Sequence, residues 1–285
     1  MVGKTSSLGS EAERVNPGHT EVTDRRRLVA PGDALCALTD VGRVRDHNED
    51  TFYLSEDGRI FVVADGMGGH EAGEVASALA VQAVADFFTG ERQQAMTSVA
   101  KPIAPLLLEA VKEAHCSVLE ASQHRQGCRG MGTTLMLAYI QDDQLYTCHV
   151  GDVRCYLRTA TGLEQLTRDH SVVETLVQAG MLTSAEARVH PRKNEILQAL
   201  GMPHGITPSV NARMLAPGDC VLLCSDGLWE ALADEEIEAI VDWQGTTRQR
   251  AIQLVDRAND AGGRDNITVV LYEHVAQGRG NDGLG

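Results

Sequence analysis

The aspartates at Asp50, Asp65, Asp152, Asp226 and Asp265 are the residues of this chain best placed to do chemistry. Each lies where a strand end or a tight turn would present its carboxylate. The segments that carry them, RVRDHNEDTF, VVADGMGGHEAGEVA, HVGDVRCY, LLCSDGLWE and GGRDNITVV, are spread over nearly the whole chain. Asp65 and Asp226 share a local pattern, an apolar run that reads as a buried strand and ends in Asp-Gly (IFVVADG and VLLCSDG). The glycine lets the backbone turn there or approach a ligand closely. If such carboxylates converge, two of them about 4 Å apart repel by roughly 4 kcal/mol at an effective dielectric of 20. Hard divalent cations remove that repulsion. An all-oxygen donor set with no histidine or thiolate at ligand spacing selects Mg²⁺ or Mn²⁺ over zinc.

The elements that must position these groups are legible from periodicity. Strand-like runs fall at about 34–39, 51–55, 59–64, 133–140, 144–150, 153–158, 207–214, 219–225 and 267–273. Helices interrupt them in pairs. The stretch 71–88 sets Ala72, Val75, Ala76, Leu79, Ala83 and Phe87 along one stripe, and a second helix fills about 98–123. A short helix is expected over 234–242, and one over 246–259 buries Ala251, Leu254, Val255 and Ala258 before stopping at Gly262-Gly263. Runs of strands with helices segregated in pairs imply an α+β fold of sheets packed on each other and covered by helices, and argue against a βαβ alternation. Leu166 to Leu200, mostly helical and polar, reads as an insertion and a candidate flap beside the site. His170 and His190 within it are read as structural or surface residues.

Composition narrows the function classes. The 285 residues carry a formal charge of −15, which repels nucleic acid and anionic membranes at long range, so a phosphate-bearing substrate needs local attraction. No apolar run is long enough to span a bilayer and the first residues lack a secretion signal, so a cytoplasmic protein is expected. Seven cysteines without a C-x-x-C pair read as small buried hydrophobes in a reducing compartment. The boundaries expected are a flexible leader over 1–32, one domain over 33–275 and a loose glycine-rich tail over 276–285, with Arg25-Arg26-Arg27 a solvated run in the leader.

Taken in order, the segments Asp40-Val41-Gly42 with Arg45 and Asn48-Glu49-Asp50, Asp65-Gly66-Met67-Gly68-Gly69-His70, Gly132-Thr133-Thr134, Gly151-Asp152-Val153-Arg154, Ser225-Asp226-Gly227-Leu228-Trp229 and Arg264-Asp265-Asn266-Ile267-Thr268 resemble the metal-dependent serine/threonine protein phosphatases of type 2C, in their bacterial form. The likeness runs from about 34 to 274. It implies a four-layer α-β-β-α sandwich, two mostly antiparallel sheets flanked by helix pairs, with a two-metal centre in a cleft at one sheet edge. It further implies that Asp65 bridges two cations, that the Gly66 carbonyl ligates one, and that Asp50, Asp226 and Asp265 complete the shell of the second cation, directly or through water. Asp152, with Asp226, matches a weaker third position. Glu49 and Asn266 are expected to act through water or through other ligands.

Arg45 matches the arginine that grips the substrate phosphate, and a planar two-pronged donor is the local attraction that an acidic surface lacks. Some relatives place a histidine as general acid directly after Asp-Gly; Met67 stands there in this chain, so His70 is the candidate instead. The expected activity is hydrolysis of phosphoserine and phosphothreonine esters by an activated water, on the substrates of a serine/threonine kinase in the same cell, by a monomer. The alternatives are a binding module of the same fold that has lost catalysis and a two-metal hydrolase of another phosphate ester.

Overall fold

A computed structural model describes residues 19–22, 25–68, 72–89 and 102–275. More than half of them form two antiparallel sheets and the helices that cover them. The first sheet contains β1 (His19–Val22), β2 (Arg26–Gly32), β3 (Leu35–Asp40), β9 (Arg154–Thr159), β10 (Gly162–Gln165), β12 (Cys220–Cys224) and β13 (Ile267–Glu273), in the order β1-β2-β3-β13-β12-β9-β10. The second runs β11-β8-β7-β5-β4, from β4 (Asp50–Leu54), β5 (Ile60–Met67), β7 (Leu135–Gln141), β8 (Gln144–Val150) and β11 (Ser209–Met214), with the short β6 (Gly132–Thr133) paired to the end of β5. Helices α1 (Ala72–Phe87) and α2 (Ile103–His124) cover the second sheet. The first is covered by α5 (Asp226–Trp229), α6 (Asp234–Val241) and α7 (Thr247–Asp260). Between β10 and β11 lie α3 (Val172–Gln178) and α4 (Ser184–Val189).

Strand alternation sorts the apolar residues into three cores, which is what makes four layers. On β5, Ile60, Val62 and Ala64 face the helices while Phe61 and Val63 enter the space between the sheets. On β12, Cys220, Leu222 and Cys224 face helices and Val221 and Leu223 face the other sheet. The central strands β3, β5, β7 and β12 are thus buried on both faces over most of their length, so the sequence there shows continuous apolar runs and little polar alternation. The five strand cysteines, Cys36, Cys148, Cys155, Cys220 and Cys224, are buried as free thiols together with Cys128, and only Cys116 is exposed.

The structure shifts three expectations. Arg26–Gly32, placed in the leader by its basic run, is a strand of the first sheet: Leu28 packs toward the helices, Val29 between the sheets, and the Arg26 guanidinium reaches Asp40 and Asp256 at 2.7 Å each. The domain therefore begins before residue 33. Residues 1–18, 23–24 and 276–285 lie outside the described residues. On α1 the buried side is turned from the expected stripe: Ala76, Ser77, Ala80 and Val84 are the enclosed positions, while Val75, Leu79 and Ala83 pack at the edge. Small residues win the inner face because α1 is squeezed between a sheet and α2. The short β10, with no fully buried side chain, has no apolar signal and was not expected.

Candidate active site

The alternation that fills the space between the sheets also builds the site at its end. Continuing the inward rows one step beyond the apolar residues puts Thr39 after Ala37, Asp50 before Phe52, Asp65 after Val63, Ser225 after Leu223 and Thr268 before Val270. A polar layer closes the apolar core. In it the Thr39 and Thr268 hydroxyls meet at 2.7 Å, and Ser225 Oγ donates to Asp50 Oδ2 at 2.7 Å while accepting from the Thr268 N–H at 2.9 Å. Asp50 and Asp65 are direct partners in the β4–β5 register. Opposite positions in an antiparallel pair hold their side chains on one face, with Cβ atoms about 4.5–5.5 Å apart, where like charges repel.

Asp65 is fixed from below by the Gly132-Thr133-Thr134 segment. Thr133 Oγ1 and the Thr134 N–H both donate to its carbonyl at 2.8 Å, and its own N–H donates to Thr134 Oγ1 at 3.1 Å. Both Asp-Gly glycines are there for close approach. A Cβ on Gly66 would lie 2.1 Å from the Gly73 carbonyl oxygen, and one on Gly227 would lie 2.1 Å from that of Asn266. Asp226 opens α5 just after β12, with Ser225 at the cap position. Asp265 precedes β13; its Oδ2 accepts from Arg45 Nη2 at 2.7 Å and its Oδ1 from the Asn266 N–H at 2.9 Å. Asp152 is buried in the turn between β8 and β9, and its carbonyl accepts from Trp229 Nε1 at 3.1 Å.

The electrostatics show that these carboxylates share one field. Burial and then the neighbouring carboxylates of Asp50, Asp226, Asp152 and Asp265 hold Asp65 well above the ordinary carboxyl range. Asp226 is raised in the same way, by burial and then by Asp152 and Asp265. Asp50 is pushed up to about 7 by burial against the opposing hydrogen bonds of Thr268 and Ser225, and Asp152 to about 7 by burial and Asp169. Two oxygens in this group, Asp50 Oδ1 and Asp226 Oδ1, are buried without a hydrogen-bond partner. Buried polar atoms are nearly always paired, and an unpaired one points to a site where something else supplies the partner. Among the described residues no three acidic, histidine or cysteine side chains already converge into a finished ligand cage. The donor set is nevertheless all oxygen, crowded with negative charge and short of donors, and it fits a hard divalent cation.

The remaining expected residues divide between positioning and contact. Asn266 is a buried cross-link, donating from Nδ2 to the carbonyls of Val41 and His47 at 2.9 Å each and accepting the Glu49 N–H at 2.8 Å. Glu49 lies against α1 where Gly73 leaves room for its carboxylate, and burial raises its pKa. Arg45 is about half exposed and spends one nitrogen on Asp265, so other N–H groups of its fork stay open. His70 lies outside the described residues.

Several residues that hold the site in place are given no part in it by the sequence alone. Arg25, read as solvated, donates to the carbonyls of Gly42 and Arg45 and so holds the Arg45 loop. Asp40 gathers Arg26, the Gly42 N–H and Asn259, which keep it below the ordinary carboxylate range although burial opposes them. Arg154 is gripped by Asp169 and lies 3.6 Å over the Trp229 ring, bracing the turn that carries Asp152. His170 stacks on His149 and accepts the Gly151 N–H, a structural role as expected. The ends of the 166–200 insertion are anchored beside the site, by the His170 N–H to the Gly151 carbonyl and by the Leu200 pairing with Thr133.

Comparison with known proteins agrees with this arrangement. The family model described as Protein phosphatase 2C matches residues 43–269. The chain is 37% identical over 247 residues to the serine/threonine phosphatase stp of Listeria monocytogenes, covering 86% of this chain and 97% of that one. It is 39% identical over 240 residues to protein phosphatase PhpP of Streptococcus pneumoniae, covering 83% and 96%. Among solved structures, the Mycobacterium tuberculosis serine/threonine phosphatase PstP/Ppp superposes with a TM-score of 0.77 at 35% identity, covering 85% of this chain and 98% of that one. The PstP catalytic domain in complex with two manganese ions gives 0.74 at 35% identity, covering 85% and 97%. The ordered motifs, the paired sheets and the acidic layer between them have one common explanation: this chain belongs to the protein phosphatase 2C family.

Proposed function

We propose that the chain is a metal-dependent protein serine/threonine phosphatase whose cations are held by Asp50, Asp65, the Gly66 carbonyl, Asp226 and Asp265, with Asp152 serving a further, weaker position. The observation that carries this reading is the pair of buried, unpartnered oxygens on Asp50 and Asp226, in a group of carboxylates that raise one another's pKa. The same pair argues against a binding module that has lost its catalytic groups. Bound Mg²⁺ or Mn²⁺ would acidify a water and neutralise charge on the phosphoryl group, as phosphate monoester hydrolysis requires.

The protein's own groups supply the rest. Arg45 leans over the site from a loop held by Arg25 and Asn266, and its open N–H donors are offered to two phosphate oxygens. Its contact with Asp265 keeps the guanidinium beside the acidic layer until a phosphate competes for it. Ser225 and Thr268 fix the orientation of Asp50, and Thr133 and Thr134 fix the backbone of Asp65. His70 is the candidate donor of a proton to the departing serine or threonine oxygen. The proposed substrates are phosphoproteins of a serine/threonine kinase in the same cell, acted on by a monomer in the cytoplasm. No described helix is long and apolar enough to cross a membrane.

The test is hydrolysis of a phosphothreonine peptide with Mn²⁺ by Asp65→Asn and Asp226→Asn proteins. A loss of about 10²-fold or more is expected, the scale seen when a group aimed at developing charge is removed. Near-full activity in both would refute the assignment.

A further inference from the structure

A groove of about 790 Å³ starts at Met67, two residues beyond Asp65, and runs between the C-terminal end of α2 and the Gly201-Met202-Pro203 turn. Its mouth is fixed to the site, because Met67 pairs with Gly132 and Gly66 with Thr133 in the β5–β6 register. Met67, Met131 and Met202 supply apolar wall, and Arg125 and Arg129 stand on the loop that follows α2. Not one residue lining the groove is acidic, in a chain with 40 aspartates and glutamates. By contrast, the cavity beneath α3 and α4 is lined by Asp152, Asp169, Glu174, Glu230 and Asp234 beside Arg154, Arg188 and Lys193.

The two arginines are exposed and form no ion pair with a described residue; Arg43, Arg168 and Arg264 share that property, but Arg125 and Arg129 are the arginines that line this groove. The loop that presents them is built. Gly127 and Gly130 take φ of +84° and +79°, Cys128 is buried, its N–H donates to the Arg125 carbonyl at 3.3 Å, and the Gly130 N–H donates to Ser122 Oγ at 3.2 Å. Unpaired guanidiniums on an ordered loop, next to the site of an otherwise acidic molecule, call for an anionic partner. Arg is the side chain best shaped to take a carboxylate in two parallel hydrogen bonds. Methionine adapts to varied apolar side chains.

We propose that this groove seats the polypeptide flanking the phosphorylated residue and selects substrates in which that flank is acidic, its carboxylates on Arg125 and Arg129 and an apolar side chain on the methionines. This rests on the phosphatase reading above and adds a substrate preference to it.

The test uses two phosphothreonine peptides that differ only in carrying Glu or Gln in the flank, with p-nitrophenyl phosphate as a substrate that has no flank. Wild type is expected to favour the Glu peptide in kcat/KM by about three- to tenfold, the range that two exposed ion pairs supply. The preference should shrink as salt is raised. Arg125→Ala combined with Arg129→Ala should abolish it and leave p-nitrophenyl phosphate hydrolysis unchanged. Equal kcat/KM for the two peptides in wild type, or a preference that survives both substitutions, overturns the proposal. Fluorescence anisotropy with non-hydrolysable phosphonate analogues reads the same preference as binding. If no ester is hydrolysed, the phosphatase reading fails while the anisotropy still decides whether the groove selects acidic peptides. Should the double variant not fold, the salt dependence of the wild-type preference decides, and a preference insensitive to salt overturns the proposal.

Discussion

Asp226 shows how a single residue carries both function and cost. Its Oδ1 is buried without a partner and its carboxylate sits among Asp152, Asp265 and Asp50, so in metal-free protein it weakens the fold it belongs to. A group that is unfavourable in the folded state persists where function requires it. Asp226→Asn keeps the shape, removes the charge and gains two donors. In chelator-treated protein this variant is expected to be more stable than wild type by about 1–2 kcal/mol, on the scale of a buried unsatisfied polar group, and thermal melting checks it. A lower melting temperature than wild type would mean that Asp226 is structurally satisfied. Asp65 and Asp226 were legible at this scale because each ends an apolar run in Asp-Gly, a pattern that puts a carboxylate at a strand end. Arg25 and the Thr133-Thr134 clamp were not, since the first resembles any solvated arginine and the second acts by hydrogen bonds to one backbone unit far away in sequence.

Elements place these residues through register. The β4–β5 pairing sets Asp50 opposite Asp65, and a slip by one residue would send one of them to the helix face. Strand ends alone are not enough, however: β12 must pass directly into α5 against the Asn266 backbone, which only a glycine at 227 permits. Gly227→Ala is therefore expected to displace α5 with Asp226, lowering peptide hydrolysis at least about tenfold and stability by roughly 1–3 kcal/mol, the cost of overpacking. Unchanged activity and melting would show that the contact yields easily. Most strands and four of the five covering helices could be read from periodicity because doubly buried strands are continuous apolar runs and amphipathic helices such as α7 bury one face, Ala251, Leu254, Val255 and Ala258, as expected. The leader boundary failed for a physical reason. β2 lies next to the edge strand β1, and its Arg26 extends along the sheet to reach acids in β3 and α7, so its composition resembles a solvated tail.

At the scale of the whole molecule, negative charge is concentrated where the two sheets meet, in a chain already at −15. Asp50 and Asp152 titrate near 7 in the folded protein against 3.8 for an ordinary aspartate, so the folded state holds more protons than the unfolded one between those values. The stability these groups contribute is present below about 3.8 and is lost as pH rises toward 7. Chelator-treated protein is expected to melt at progressively lower temperature between pH 5 and pH 8, roughly, and saturating Mn²⁺ should flatten that slope, because a ligand of the native state stabilises it by mass action. A slope unaffected by Mn²⁺ would place the cation away from these carboxylates. The central claim is that strand alternation collects carboxylates from distant parts of the chain into one cation site at the end of the inter-sheet core. Anomalous scattering from crystals soaked in Mn²⁺ tests it most directly. The account predicts manganese peaks enclosed by Asp50, Asp65, Asp226 and Asp265; an ordered structure with no peak among those four side chains would contradict it.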